Sequence, residues 1–172
     1  MRDLIVTVNI PFCMSRCDFC TKNVRVCPKE TRDAYTGALL RELRSVSDEL
    51  KEHRMRTLYF TGGTPTLLAD RQLPTLVREI KEYASPAEGL EITVATNPGC
   101  IGINVLSRLK DYGLTRLEFS LATVDPLEQD ILGRHFGEEE MYVSRQILEF
   151  GQAEVFSIDL LRGQPGQRKA NM

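Results

Sequence analysis

A parallel α/β sheet, open or curled into a partial (β/α) barrel with helices outside, is the architecture this sequence predicts. Three observations carry it. Short segments rich in β-branched and aromatic residues alternate with longer stretches of helical periodicity. The connections between the short segments are long, as parallel neighbours require. The chain has 172 residues, whereas a complete eight-stranded barrel uses ~250. About five parallel strands in one domain, 1–172, are therefore expected, with the barrel incomplete at its C-terminal side.

The first strand candidate is 4–10 (LIVTVNI). A helical stretch at 30–53 follows, with Tyr35, Leu39, Leu40, Leu43, Val46 and Leu50 near helical spacing. Strand 57–61 (TLYFT) leads to a helix at 70–84, capped by Asp70, with Leu73, Leu76, Val77 and Ile80 on one face. Strand 90–96 (LEITVAT) precedes a helix at 102–112. Strand 116–122 (RLEFSLA) precedes helical residues 125–151, started by Asp125-Pro126 and broken into two pieces by Gly133 and Gly137. The fifth strand, 154–161 (EVFSIDLL), runs into a polar tail from Gly163 to Met172 with no helix after it.

Strands covered on both faces read as continuous apolar runs. These alternate instead: Val8 and Ile10 with Thr7 and Asn9, Leu58 and Phe60 with Tyr59 and Thr61, Ile92 and Val94 with Thr93 and Ala95. Leu117 and Phe119 likewise alternate with Glu118 and Ser120, and Ile158 with Ser157 and Asp159. One face packs on helices. The other is small and polar, the lining expected of a lumen that takes a polar ligand. An antiparallel sheet with a solvated face is the alternative.

Twenty-two basic against 24 acidic residues give a net charge of −2, without the basic excess of a nucleic-acid or anionic-membrane surface. No apolar run reaches the ~18 residues of a membrane span, and Met1-Arg2-Asp3 opens no signal peptide. Of five cysteines, three lie within eight residues, which indicates metal or redox chemistry in a reducing cytoplasm rather than a disulfide scaffold.

Those three, Cys13, Cys17 and Cys20, form C-x3-C-x2-C directly after the first strand. Three thiolates on one loop suit three irons of a [4Fe–4S] cluster, with the fourth iron open to a ligand. Cys27 is a candidate fourth ligand, and a closed zinc site using all four thiolates is the competing structure. Cys100, after Asn97-Pro98-Gly99, is expected to be an ordinary loop or core thiol.

With Phe19 before the third cysteine, the motif resembles the radical S-adenosylmethionine superfamily. Ile10-Pro11-Phe12-Cys13 narrows the resemblance to the oxygen-independent coproporphyrinogen III oxidase family, whose members include haem chaperones and methyltransferases. Further motifs follow in the family's order: Phe60 to Thr66, Glu91-Ile92-Thr93 with Asn97-Pro98-Gly99, Gly113 to Arg116, Leu132 to His135, and Ile158 to Gly163 with Pro165-Gly166-Gln167. The resemblance implies that residues 1–172 are the front part of a radical S-adenosylmethionine core domain, lacking its C-terminal end. It implies a [4Fe–4S] cluster on Cys13, Cys17 and Cys20, and S-adenosylmethionine on its open iron. One electron, from a donor such as flavodoxin or ferredoxin, then yields methionine and a 5′-deoxyadenosyl radical that abstracts hydrogen from a small-molecule substrate such as a tetrapyrrole. Carried over, Phe19 lies by the adenine, Gly62, Gly63 and Thr64 approach the methionine amino end, and Arg134 and Asp159 are polar cofactor contacts. Without the resemblance, Arg134 reads as a solvated helix charge.

The sequence also departs from the family. Thr7 and Asn9 stand where Tyr and His are common, Ala95 where a cofactor-binding Glu is usual, and Ala122 where a Gln is usual. Lys22 stands where authentic oxidases carry one more cysteine. An enzyme of porphyrin metabolism is expected, with a haem chaperone-like binding protein, a methyltransferase and an inactive paralogue as alternatives.

Overall fold

A computed structural model describes residues 1–68, 71–150 and 153–167. Its sheet has five parallel strands in sequential order: β1 (Arg2–Ile10), β2 (His53–Gly62), β3 (Ser85–Thr96), β4 (Arg116–Ala122) and β5 (Val155–Leu160). Between them run α1 (Lys29–Ser45) and α2 (Ser47–Lys51), α3 (Gln72–Tyr83), α4 (Ile103–Asp111), and α5 (Pro126–Leu132) with α6 (Glu138–Phe150). This is the open, partial barrel the alternation predicts, and the parallel pairing removes the antiparallel alternative.

The period-2 pattern sorts the two faces. Ile10, Leu58, Phe60, Val94 and Leu117 are fully buried against Leu73, Leu76, Val77, Leu106 and Leu109 of the helices. Thr7 and Asn9 are exposed, and Tyr59, Glu118 and Ser120 are half-buried on the other face. At β5 the pattern is followed but the covering is not: Ile158 and Leu160 are 48% and 69% exposed, because no described element packs across that end of the sheet.

Element limits move where tertiary contacts override local preference. β2 starts four residues early, at His53, because Arg54 and Arg56 pair with Asp3 on β1 (2.7 and 3.2 Å) and Met55 is fully buried. The expected helix at 30–53 divides at Val46, whose φ of −105° and ψ of 7° leave the helical region. The cap expected from Asp70 falls outside the described residues; α3 follows Arg71, which makes no side-chain cap bond. Asp125 caps α5 as expected, accepting from the amides of Leu127 and Glu128. Gly133 ends that helix in the left-handed conformation, φ +58°.

β4 ends in a strained turn. Ala122 has φ +65°, and the Thr123 amide donates to the Leu121 carbonyl across it at 2.9 Å, a tight three-residue turn that L-residues rarely adopt. The register with β5 shifts at this point. Glycine at 122 is expected to stabilise the chain by about 0.5–1 kcal/mol, since relief of the positive φ outweighs the added freedom of the unfolded chain. Urea unfolding of Ala122→Gly checks this; a lower midpoint would mean that the turn carries no strain.

Candidate functional site

The cysteine loop leaves the C-terminal end of β1 and is tied down on three sides. At its base Phe12 and Arg25 form an isolated parallel bridge, with the Cys13 amide donating to the Arg25 carbonyl (3.1 Å) and the Arg25 amide to the Pro11 carbonyl (2.8 Å). Phe12 also meets the Tyr35 ring edge-on at 5.1 Å, and the Tyr35 hydroxyl donates to the Asn9 carbonyl at 2.7 Å. At the loop's far side, the Asp18 amide donates to the Leu132 carbonyl at the end of α5 (2.9 Å).

The third tie explains the glycines after β2. Gly63 and Thr64 donate their amides to the carbonyls of Ile10 (2.8 Å) and Phe12 (2.7 Å). A Cβ on Gly63 would lie 2.4 Å from the Phe12 carbonyl oxygen and 2.9 Å from Cys13 Sγ. Gly62 has φ +107°, and a Cβ there would lie 2.5 Å from Asn9 Oδ1. Both glycines let β2 close against the root of the cysteine loop.

A hydrogen-bonded chain then links two of the thiols across the strand ends. Thr64, fully buried, donates its hydroxyl to Cys13 Sγ at 3.6 Å and accepts from Asn97 Nδ2 at 2.6 Å. Arg134 Nη2 donates to Asn97 Oδ1 at 2.7 Å and to the Ser120 carbonyl, while Nη1 reaches Cys17 Sγ at 3.8 Å. The guanidinium sits 5.1 Å from the centre of the Phe136 ring. Arg134 is thus not a solvated helix charge: it lies in the loop after α5 and is 8% exposed.

These groups border a cavity of about 170 Å³ lined by Cys13, Cys17, Cys100, Arg134, Phe136 and Glu140, among others. It lies at the C-terminal ends of the parallel strands, where ligands of such sheets bind. Burial pushes the Cys13 thiol above its usual value, the Thr64 hydroxyl pulls it back, and Cys20 and Cys17 add to the upward push. Among the described residues no three His, Cys, Asp or Glu side chains gather around a single ion position.

Of the residues expected at the site, Cys13, Cys17, Gly63, Thr64 and Arg134 come together. Cys20 follows Cys17 through a turn, its amide donating to the Cys17 carbonyl at 3.1 Å. Phe19 stands 39% exposed on the same loop. Asp159 lies apart on β5, paired in register with Ser120 and exposed on the polar face. Cys27 packs against the hydrophobic core rather than lining the cavity. Cys100 does line it, with burial pushing its thiol up to about 11, so it is neutral at pH 7. Asn97 is legible in the sequence only within the Asn97-Pro98-Gly99 motif; its position just after β3, where a strand gives way to a loop, is the available signal.

The sequence matches the Radical SAM superfamily over residues 8–169. The chain belongs to that superfamily. As a radical SAM protein it is 30% identical over 161 residues to the haem chaperone HemW of Bacillus subtilis, covering 93% of this chain and 42% of the relative. It is 29% identical over 168 residues to the oxygen-independent coproporphyrinogen III oxidase of Salmonella typhimurium, covering 96% of this chain and 36% of that protein. The solved coproporphyrinogen III oxidase HemN of Escherichia coli superposes with a TM-score of 0.87 at 28% identity, over 99% of this chain and 39% of the other. The radical SAM chain thus spans about two fifths of the length of such relatives, and these carry both oxidase and chaperone names. No helix among the described residues is long and apolar enough to cross a membrane.

Proposed function

We propose that the chain is a [4Fe–4S]- and S-adenosylmethionine-dependent radical enzyme acting on a small, tetrapyrrole-related molecule, with Cys13, Cys17 and Cys20 as the cluster ligands. The observation that carries this reading is the run of contacts Cys13–Thr64–Asn97–Arg134–Cys17, which fixes two thiols against three strand ends. The donor set fits the group: three sulfurs on one tethered loop, a side-chain-free Gly63 beside Cys13 Sγ, and a buried Arg134 Nε with no protein partner. When bound, the cluster and S-adenosylmethionine supply one-electron cleavage of the sulfonium to methionine and a 5′-deoxyadenosyl radical, driven by a donor of the flavodoxin or ferredoxin type.

The chain's own residues orient and shield. Burial raises the Cys13 thiol, and the Thr64 hydroxyl, which donates to its sulfur, and the nearby Arg134 guanidinium pull it back; Arg134 also reaches Cys17 Sγ. Gly62 and Gly63 keep the floor of the site free of side chains. Phe19 and Asp159 stay as candidate contacts to the nucleoside. Anaerobic reconstitution with iron and sulfide is expected to give a brown protein with about four irons per chain, and dithionite with S-adenosylmethionine to release 5′-deoxyadenosine. Stoichiometric zinc with no iron or sulfide would overturn the assignment. Lys22, in place of a further cysteine, favours the oxidase-like branch over the authentic oxidases; stoichiometric haem binding without deoxyadenosine would select a chaperone within that branch.

A further inference from the structure

We infer that the exposed side of the cysteine loop is the docking surface for an acidic one-electron carrier protein, held by Arg16, Lys22 and Arg25. This rests on the cluster reading above, because a cluster on Cys13, Cys17 and Cys20 draws its electron from outside the chain. Residues 13–27 hold three cations and one anion, Asp18, in a chain whose net charge is −2. Arg16, Lys22 and Arg25 are all exposed. Among the described residues no carboxylate pairs with any of them, whereas the next cation along, Lys29, is taken by Asp33 at 2.5 Å. The one acid is turned towards α5: a Cβ on Gly133 would meet Asp18 Oδ2 at 2.8 Å.

The loop also carries the apolar surface that a partner buries. Met14 and Val26 are exposed, close in the chain to Arg16 and Arg25, and apolar side chains with a charged rim are the make-up of a docking surface. Its base is fixed before any partner arrives, since the Arg25 amide donates to the Pro11 carbonyl and the Cys13 amide to the Arg25 carbonyl. The three thiols are themselves only half-buried on this loop, so a carrier seated there meets the cluster ligands with no sheet or helix between. A partner with carboxylates around its redox group is steered to such a surface by opposite charge, and the small contact lets it leave again. In the transfer one electron leaves the carrier's anionic flavin hydroquinone, which becomes the neutral semiquinone, and the cluster is reduced by one unit; no bond is made or broken.

The test is stopped-flow reduction of the cluster-loaded chain by an acidic flavodoxin in its hydroquinone state, beside reduction by dithionite, which is too small to need a docking surface. Arg16→Glu, Lys22→Glu and Arg25→Glu are each expected to slow the flavodoxin reaction about threefold at low ionic strength, and the triple variant about thirtyfold. The deficit is expected to shrink to about twofold in ~0.5 M salt, where charges are screened within a few ångströms. Dithionite rates are expected to change by no more than about twofold, since only local charge is altered. Arg2→Glu, the same charge change at the far end of β1, is expected to leave the flavodoxin rate as it is. If Arg16→Glu, next to Cys17, loads less iron, Lys22→Glu and Arg25→Glu carry the test by themselves. Parent-like flavodoxin rates in iron-loaded variants would overturn the assignment, as would an equal loss in Arg2→Glu or an equal loss with dithionite. A parent chain whose iron centre dithionite does not reduce would instead remove the cluster reading, and the docking surface with it.

Discussion

Alanine at Gly63 is expected to strip the chain of iron as completely as alanine at Cys17, although Gly63 offers no ligand atom. The added methyl would sit 2.4 Å from the Phe12 carbonyl oxygen, 2.8 Å from its carbon and 2.9 Å from Cys13 Sγ. Two of those three neighbours are backbone, so no rotamer change relieves the contact. Either β2 withdraws, losing the amide bonds of Gly63 to Ile10 and of Thr64 to Phe12, or the start of the cysteine loop moves. Each outcome displaces Cys13 relative to Thr64 and unlinks it from Asn97 and Arg134. Iron and sulfide analysis after anaerobic reconstitution reads the result, with Gly102→Ala as the control, since a Cβ there meets nothing within 4 Å. Full cluster occupancy in Gly63→Ala would show that the loop tolerates more freedom than its packing indicates.

That prediction also marks the boundary of what the sequence discloses. The strand faces were legible because period-2 alternation is a local signal, and Ile10, Phe60 and Val94 fall on the buried side as the pattern requires. Asp125-Pro126 and Gly133 were legible because capping is settled within four residues. The early start of β2 was not, since Arg54 and Arg56 look like loop charges until Asp3, some fifty residues away, pairs with them. The same holds at the site. C-x3-C-x2-C declares itself, but nothing local tells Cys100 from an ordinary thiol or draws Asn97 towards Thr64. The glycines after β2 were assigned to a close approach by the cofactor; their contacts with Phe12, Cys13 and Asn9 give a second reason, one that exists only once β1 and β2 are paired.

Arg134 is where the long-range part of the site can be measured in the cluster-free chain. Its guanidinium reaches Asn97 Oδ1, the Ser120 carbonyl and Cys17 Sγ, joining β3, β4 and the cysteine loop from the turn after α5. Methionine keeps much of the volume and the contact with Phe136, and it relieves the cost of a buried charge. It cannot donate, however, so the Ser120 carbonyl and Asn97 Oδ1 lose their partner. Each acceptor left unsatisfied in a buried setting costs about 1–3 kcal/mol, so Arg134→Met is expected to lower unfolding free energy by about 2–3 kcal/mol after that relief. Lysine retains the charge but not the planar fork that serves two acceptors at once, and is expected to recover at most half of the loss. Urea denaturation under reducing conditions measures both. A change below about 0.5 kcal/mol for Arg134→Met, the size of an ordinary surface substitution, would mean that the strand ends hold their geometry without the guanidinium, and that Arg134 acts on the bound cofactor alone.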